Sequence, residues 1–392
     1  MAYLKTKLPA LSIIISLLFV SLGHPRSLSH SGSPLPTSAK KSSRNPTTKS
    51  SSITSEKSYH LQFMLDNWNS DNGLPQNSVV DMARTRDGYL WIGTQEGVSR
   101  FDGISFKTFK DPKVWAEQAI FTNVIFAASD NSLWVGTREG LNQIKNEQFR
   151  TYTVNSGLPG KYITALAEDR AGTIWVGTRD GVAKITANQI TILTVKDGLA
   201  NNDIRNIVAT SDGSVWVGTD KGLTRIKDGN FENYTEQSGL GSNKITRLFE
   251  SRDGTLWIGT EGGGLNWLKN DCISRLTIRD GLSNNSVYSI AEDNEGALWI
   301  GTGTGLDYML NGQLIHYSPS SNSLRDQIHC LLVDYEGILW IGTKSNGLYK
   351  LRKSKFKVYG EAENIPRDDI WCVLESRDGS IWMGLGAGGG LA

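Results

Sequence analysis

Apolar and polar positions along most of the chain alternate in short runs separated by turn-forming residues, and helical spacing is absent from the repeated part. One apolar run recurs almost unchanged. Leu90-Trp91-Ile92-Gly93-Thr94 returns at Trp134, Trp175, Trp216, Trp257, Trp299 and Trp340, and in degraded form as Ile381-Trp382-Met383-Gly384-Leu385. Successive tryptophans stand 43, 41, 41, 41, 42, 41 and 42 residues apart, so eight of the twelve share one register. A fixed period of this size marks a repeat architecture.

The phrase predicts a strand with Leu, Ile and Thr on one face and Trp and Gly on the other. Both faces are apolar, so the strand is expected to be covered on both sides, as between stacked sheets. Trp91, Trp134, Trp175, Trp216, Trp257, Trp299, Trp340 and Trp382 are therefore expected to be packing residues. The glycine beside each would let a neighbouring sheet approach or leave room for the ring.

One repeat shows the rest. Ile163 to Glu168 predicts a first strand, Arg170-Ala171-Gly172 a tight turn, and Ile174 to Thr178 the second strand. Arg179-Asp180-Gly181 turns again, Val182 to Ile185 is the third strand and Ile190 to Val195 the fourth. Four short antiparallel strands per period of about 41 residues predict an all-β fold, a β-propeller of four-stranded blades. Seven full copies run from Leu74 to about Gly360. Tyr59-His60-Leu61-Gln62-Phe63 resembles the outer strands Phe106–Phe109 and Phe356–Tyr359, and is expected to close a seven-bladed ring by completing the last blade. An incomplete eighth repeat, 361–392, reads as the start of a further blade or of a second propeller, for which Phe356–Tyr359 could serve as closing strand. The second repeat carries a longer insert, Asp111 to Thr122, around Trp115.

The N-terminal part differs in kind. Lys5 and Lys7 precede an apolar stretch, Leu8 to Leu22, followed by the small Gly23, which predicts a signal peptide over 1–23; an uncleaved anchor is the alternative. Residues 24–58 contain 16 Ser or Thr among 35 and almost nothing apolar, so they are expected to form a disordered tether. Together these segments hold eight of the 41 basic residues and only Glu56 of the 40 acidic ones. Residues 59–392 thus carry 33 basic against 39 acidic side chains, a net of −6 that disfavours nucleic acid as a ligand.

Gly73-Leu74-Pro75-Gln76-Asn77-Ser78-Val79 and Asp87-Gly88-Tyr89-Leu90-Trp91-Ile92-Gly93-Thr94, followed by Gly97 to Gly103, resemble the two-component regulator propeller repeat. The resemblance covers essentially 60–392. It implies an extracytoplasmic, periplasmic sensor of a small ligand such as a glycan fragment, with a possible homodimer in the parent receptor. It also implies that a membrane helix and an output domain, a histidine kinase or diguanylate cyclase, belong to a longer protein. No catalysis is then expected of this chain.

Five histidines are scattered, so neither a metal site nor a cofactor is expected. Cys330 and Cys372 share a register, which permits a disulfide if their Cα atoms lie within about 7 Å; buried free thiols are the favoured reading. The Asp-Gly turns before tryptophan only approach the Asp-box of sialidases, itself a structural turn. The positions that vary between repeats are more informative. After the first apolar residue of each first strand stand Val80, Thr164, Arg205, Thr246, Tyr288, His329 and Trp371. Arg205, Tyr288, His329 and Trp371 are the candidate ligand-binding residues, since a cation and aromatics suit acidic sugars. A secreted propeller lyase or glycosidase, or a protein-interaction scaffold, are the alternatives.

Overall fold

The computed structural model describes residues 63–109, 121–146, 148–187, 189–317, 324–354 and 370–386. The signal and tether segments, Tyr59–Gln62, the insert around Trp115 and Phe356–Tyr359 lie outside the described residues. Blade 1 comprises Val79–Arg84, Leu90–Thr94, Gly97–Phe101 and Phe106–Phe109, joined in that order as an antiparallel sheet. Blades 2 to 6 repeat this plan, with first strands at Thr122–Ala127, Ile163–Glu168, Ile204–Ala209, Ile245–Glu250 and Val287–Glu292. Blade 7 takes three strands, Ile328–Val333, Leu339–Thr343 and Leu348–Lys353, from the end of the array. Its fourth is the N-terminal strand Phe63–Trp68, antiparallel to Leu348–Lys353 with Phe63 opposite Lys353 and Trp68 opposite Leu348. First strands contact one another all around, including that of blade 7 against that of blade 1. The ring of seven is closed.

The closing strand begins where the stretch expected from sequence ends. Its position follows from its aromatic residues. Phe63 packs edge-on against Trp299 and Tyr317 of blade 6, with ring centroids 5.4 and 5.5 Å apart. Trp68 fills the space between Phe101 and Trp340 on the other side, at 5.2 and 5.9 Å.

The repeated phrase is buried in every blade of the ring, though Trp257 is only partly so. Its glycine serves the neighbouring blade and not the adjacent tryptophan. A Cβ on Gly218 would lie 2.5 Å from Ile245 Cγ2, the first residue of the next blade's first strand. The relation runs around the ring and ends with Gly342 against Val79. The threonine closes the following turn: Thr94 Oγ1 donates to the Gly97 carbonyl at 3.1 Å, and Thr178 to that of Gly181 at 2.9 Å. The indole N–H reaches six residues back, to Thr85 Oγ1 (3.1 Å), Asp169 Oδ2 (2.8 Å), Ser251 Oγ (3.1 Å), Asp293 Oδ2 (3.1 Å) and Asp334 Oδ2 (2.9 Å).

The eighth repeat supplies one hairpin, Ile370–Glu375 with Ile381–Leu385. Trp382, expected as a packing residue, is 45% exposed, because a Cβ on Gly384 would meet only Cys372 of the same hairpin and no neighbouring blade. The cysteines are all free. Only Cys330 is the buried thiol expected; Cys272 lies on an outer strand and Cys372 on the open hairpin, and both are exposed.

Candidate functional site

Every first strand carries a β-bulge at the same place: pairing shifts between Val79 and Asp81 in blade 1, and between Ile204 and Asn206 in blade 4. The residue skipped is the one the sequence singled out as variable. A bulge leaves its residue unpaired and re-aims the side chain, here toward the axis of the ring. Val80, Asn123, Thr164, Arg205, Thr246 and Tyr288 from six blades line one cavity of about 320 Å³. Tyr162, Arg179, Asp220, Lys244 and Glu261, which flank the strands at the same end, complete its rim.

Several bulge residues also tie blades together. Asn123 Nδ2 donates to the Ile163 carbonyl of the next blade at 2.9 Å, and Thr246 Oγ1 donates to that of Val287. His329 does the same across the seam, with Nδ1 3.2 Å from the Val79 carbonyl oxygen, which requires the proton on Nδ1. Burial, aided by Lys344, holds the His329 pKa below the ordinary imidazole value. Thr164 makes no such tie, and its buried Oγ1 has no hydrogen-bond partner.

Of the four candidate residues, the structure brings Arg205 and Tyr288 together in the cavity. Arg205 is already engaged, donating to both oxygens of Asp220 at 2.8 and 2.6 Å and lying 3.5 Å from Asp203. His329 occupies the equivalent bulge but holds the seam. Trp371 lies on the eighth-repeat hairpin, outside the seven blades, and is 76% exposed. The rim residues Tyr162, Arg179 and Lys244 were missed, because they flank the strands and only the strand residues were compared between repeats.

One residue beyond the bulge, Asp81 is buried, and its Oδ2 accepts from the Ile125 amide of blade 2 at 3.0 Å. Asn206 does the same for Leu248, at 2.9 Å. Burial raises the Asp81 pKa, opposed by the charge of Arg247 from blade 5. Burial likewise pushes the Cys330 thiol up, and the Asp81 carboxylate adds to the effect. Among the described residues no group of three or more His, Cys, Asp or Glu stands ready to hold a metal ion.

A closed ring of seven such blades around a lined channel is a seven-bladed β-propeller. Six of its blades match the family model described as two component regulator propeller, at residues 73–96, 157–180, 198–221, 239–262, 281–304 and 323–345. Similar solved structures include extracellular domains from B. thetaiotaomicron. One, described as part of a hybrid two-component system, is 19% identical with a TM-score of 0.68, over 82% of this chain and 47% of that one. Another, described as part of a one-component system, is 25% identical with a TM-score of 0.62, over 82% and 44%. Virginiamycin B lyase from Staphylococcus aureus shares the fold at 16% identity and a TM-score of 0.60, over 74% of this chain and 99% of the enzyme. A histidine kinase of Formosa agariphila is 34% identical over 55 residues, 14% of this chain and 4% of the kinase. The chain thus spans less than half the length of these signalling relatives. No helix among the described residues is long and apolar enough to cross a membrane.

Proposed function

We propose that this chain is the ligand-sensing propeller of an exported two-component signalling protein, with the ligand entering the channel mouth and the output carried by other parts of a longer protein. The observation that carries the reading is the run of six matched repeats in a ring that resembles extracellular domains of signalling systems. The cavity supports it: its polar residues differ from blade to blade on a uniform scaffold, which is how a repeat ring acquires a specific site. In this reading the chain is not itself an enzyme, and it acts outside the cytoplasm, as the apolar N-terminal stretch also suggests.

Two measurements test the proposal. Alkaline phosphatase fused after Ser354 should be active in cells expressing the chain with its N-terminus. A thermal-shift screen of the purified chain against saccharide fragments and small organic acids should find a stabilising ligand that is not consumed. An inactive fusion would overturn export. Release of unsaturated or reducing-end products would replace the sensor with a lyase or glycosidase, the alternative that the virginiamycin B lyase fold keeps in view.

A further inference from the structure

Each blade presents a facing pair at the channel mouth: the residue just before its first strand and the residue just after its tryptophan strand. In blade 5 the pair is Lys244 and Glu261, an ion pair at 3.7 Å. In blade 4 it is Asp203 and Asp220, both facing Arg205. The blade 5 pair is neutral, and blade 4 keeps one carboxylate in excess of its arginine, with Asp203 also within the field of Arg179. Blades 2 and 3 differ. There the arginine lies on an aromatic face, Arg138 with its guanidinium carbon 3.4 Å from the Phe121 ring centroid and Arg179 at 4.1 Å from that of Tyr162. Arg138 also approaches Tyr162, at 5.8 Å, so the two guanidinium groups flank one tyrosine. Both arginines are exposed, and among the described residues neither has a carboxylate in ion-pair contact.

A ring face attracts the flat of a guanidinium and fixes its orientation, while the N–H edges stay available. Two such groups on adjacent blades, pre-oriented and lacking an anion, make a site for a planar or tetrahedral oxyanion. Arg179 and Tyr162 belong to the cavity lining, beside Thr164 with its unpartnered hydroxyl and Tyr288.

We propose that Arg138 and Arg179 form an oxyanion clamp at the channel mouth. It selects a small ligand bearing a carboxylate or sulfate, whose uncharged body enters the cavity toward Tyr288. This rests on the ligand-sensing reading above and names the class of ligand.

Calorimetric titration of the purified chain with glucuronic acid, a sulfated glucose and glucose itself tests the clamp. At least one of the two anions should bind and glucose should not, with affinity falling as salt is raised. Carboxylate and sulfate are distinguished by which titration gives heat. Arg179→Gln should weaken binding about tenfold or more, because it removes a charge-assisted bidentate contact. Arg138→Gln should weaken it in the same direction, and Arg150→Gln, on the exposed outer strand of blade 2 and outside the cavity, should change it little. Unchanged thermal midpoints in the Gln variants confirm that folding is intact. Failure of both anions to bind, or wild-type affinity in both Arg138→Gln and Arg179→Gln, overturns the clamp. A neutral saccharide that binds with full strength to these variants overturns the clamp while leaving the sensing reading standing.

Discussion

Arg84 on the first strand of blade 1 and Asp334 at the first turn of blade 7 form an ion pair across the seam of the ring, where no covalent continuity joins the two blades' first strands. Elsewhere the residue equivalent to Arg84 is often a glutamate that caps the preceding blade's turn. Glu168 accepts from the Ser129 amide at 2.7 Å, and Glu250 from that of Ser211 at 2.8 Å. The seam reverses the charges. Asp334 is 1% exposed and is also held by the Trp340 indole at 2.9 Å and the Ile338 amide at 3.0 Å. Arg84→Leu should therefore lower stability by about 1–3 kcal/mol and not more, because the stranded carboxylate keeps its other donors. Urea unfolding of the variant checks this, and a loss near zero would mean that the pair contributes nothing to closure.

Blade 2 lacks an acceptor its sister blades possess. Trp134 is buried with an unpartnered indole nitrogen, and the residue six positions before it is Ala128. In blade 5 Ser251 occupies that place, accepting from Trp257 and donating to Asp253 Oδ1 at 2.7 Å. Asp130 stands in the position of Asp253, so Ala128→Ser has both partners waiting. The substitution should raise stability by about 0.5–1.5 kcal/mol, read as a higher denaturant midpoint at unchanged slope. A lower midpoint would show that the hydroxyl does not fit.

Asp81 carries a pH signature. Its folded-state pKa lies above the ordinary value of 3.8, with burial as the leading cause. Protonation therefore favours the fold: this group's contribution is full below the ordinary value and is lost as pH rises through the raised one. Asp81→Asn keeps the acceptor for Ile125, as Asn206 does for Leu248. The variant should lose less stability than the wild type between acid and neutral pH. Parallel stability-versus-pH curves would refute the assignment.

The repeated tryptophan and the variable one should respond differently. Trp216 is 4% exposed and packs beside Tyr234 at 5.5 Å between ring centroids. Trp216→Ala should cost about 3–5 kcal/mol, the range for truncating a buried aromatic. Trp371, on the open hairpin, should cost less than about 0.5 kcal/mol, as surface substitutions do. Equal small losses by chemical denaturation would show that the repeated phrase is not the packing core.

The sequence made the ring legible because one strand phrase is reused under the same constraint seven times: Gly93 to Gly342 each face the next blade's first strand, and only glycine fits. The bulge position was legible for the opposite reason, since no common packing fixes it. What stayed hidden was contact between segments far apart. That Arg205 is consumed by Asp220, that His329 ties the seam, and that Arg138 and Arg179 share Tyr162 all depend on side chains meeting across loops and blades, which no local pattern encodes. Trp382 misled because a packing motif needs a neighbour as well as a sequence.

Completing blade 7 with Phe63–Trp68 also sets an order of events during synthesis. This strand is made first of the ring yet has no partner until Leu348–Lys353 has followed it. Phe63 and Trp68 must meanwhile wait without the aromatic contacts they find in the finished protein, while successive blades stack from one end. The pairing has the longest sequence separation of any strand pair in the ring, and so the largest loop-closure entropy to offset.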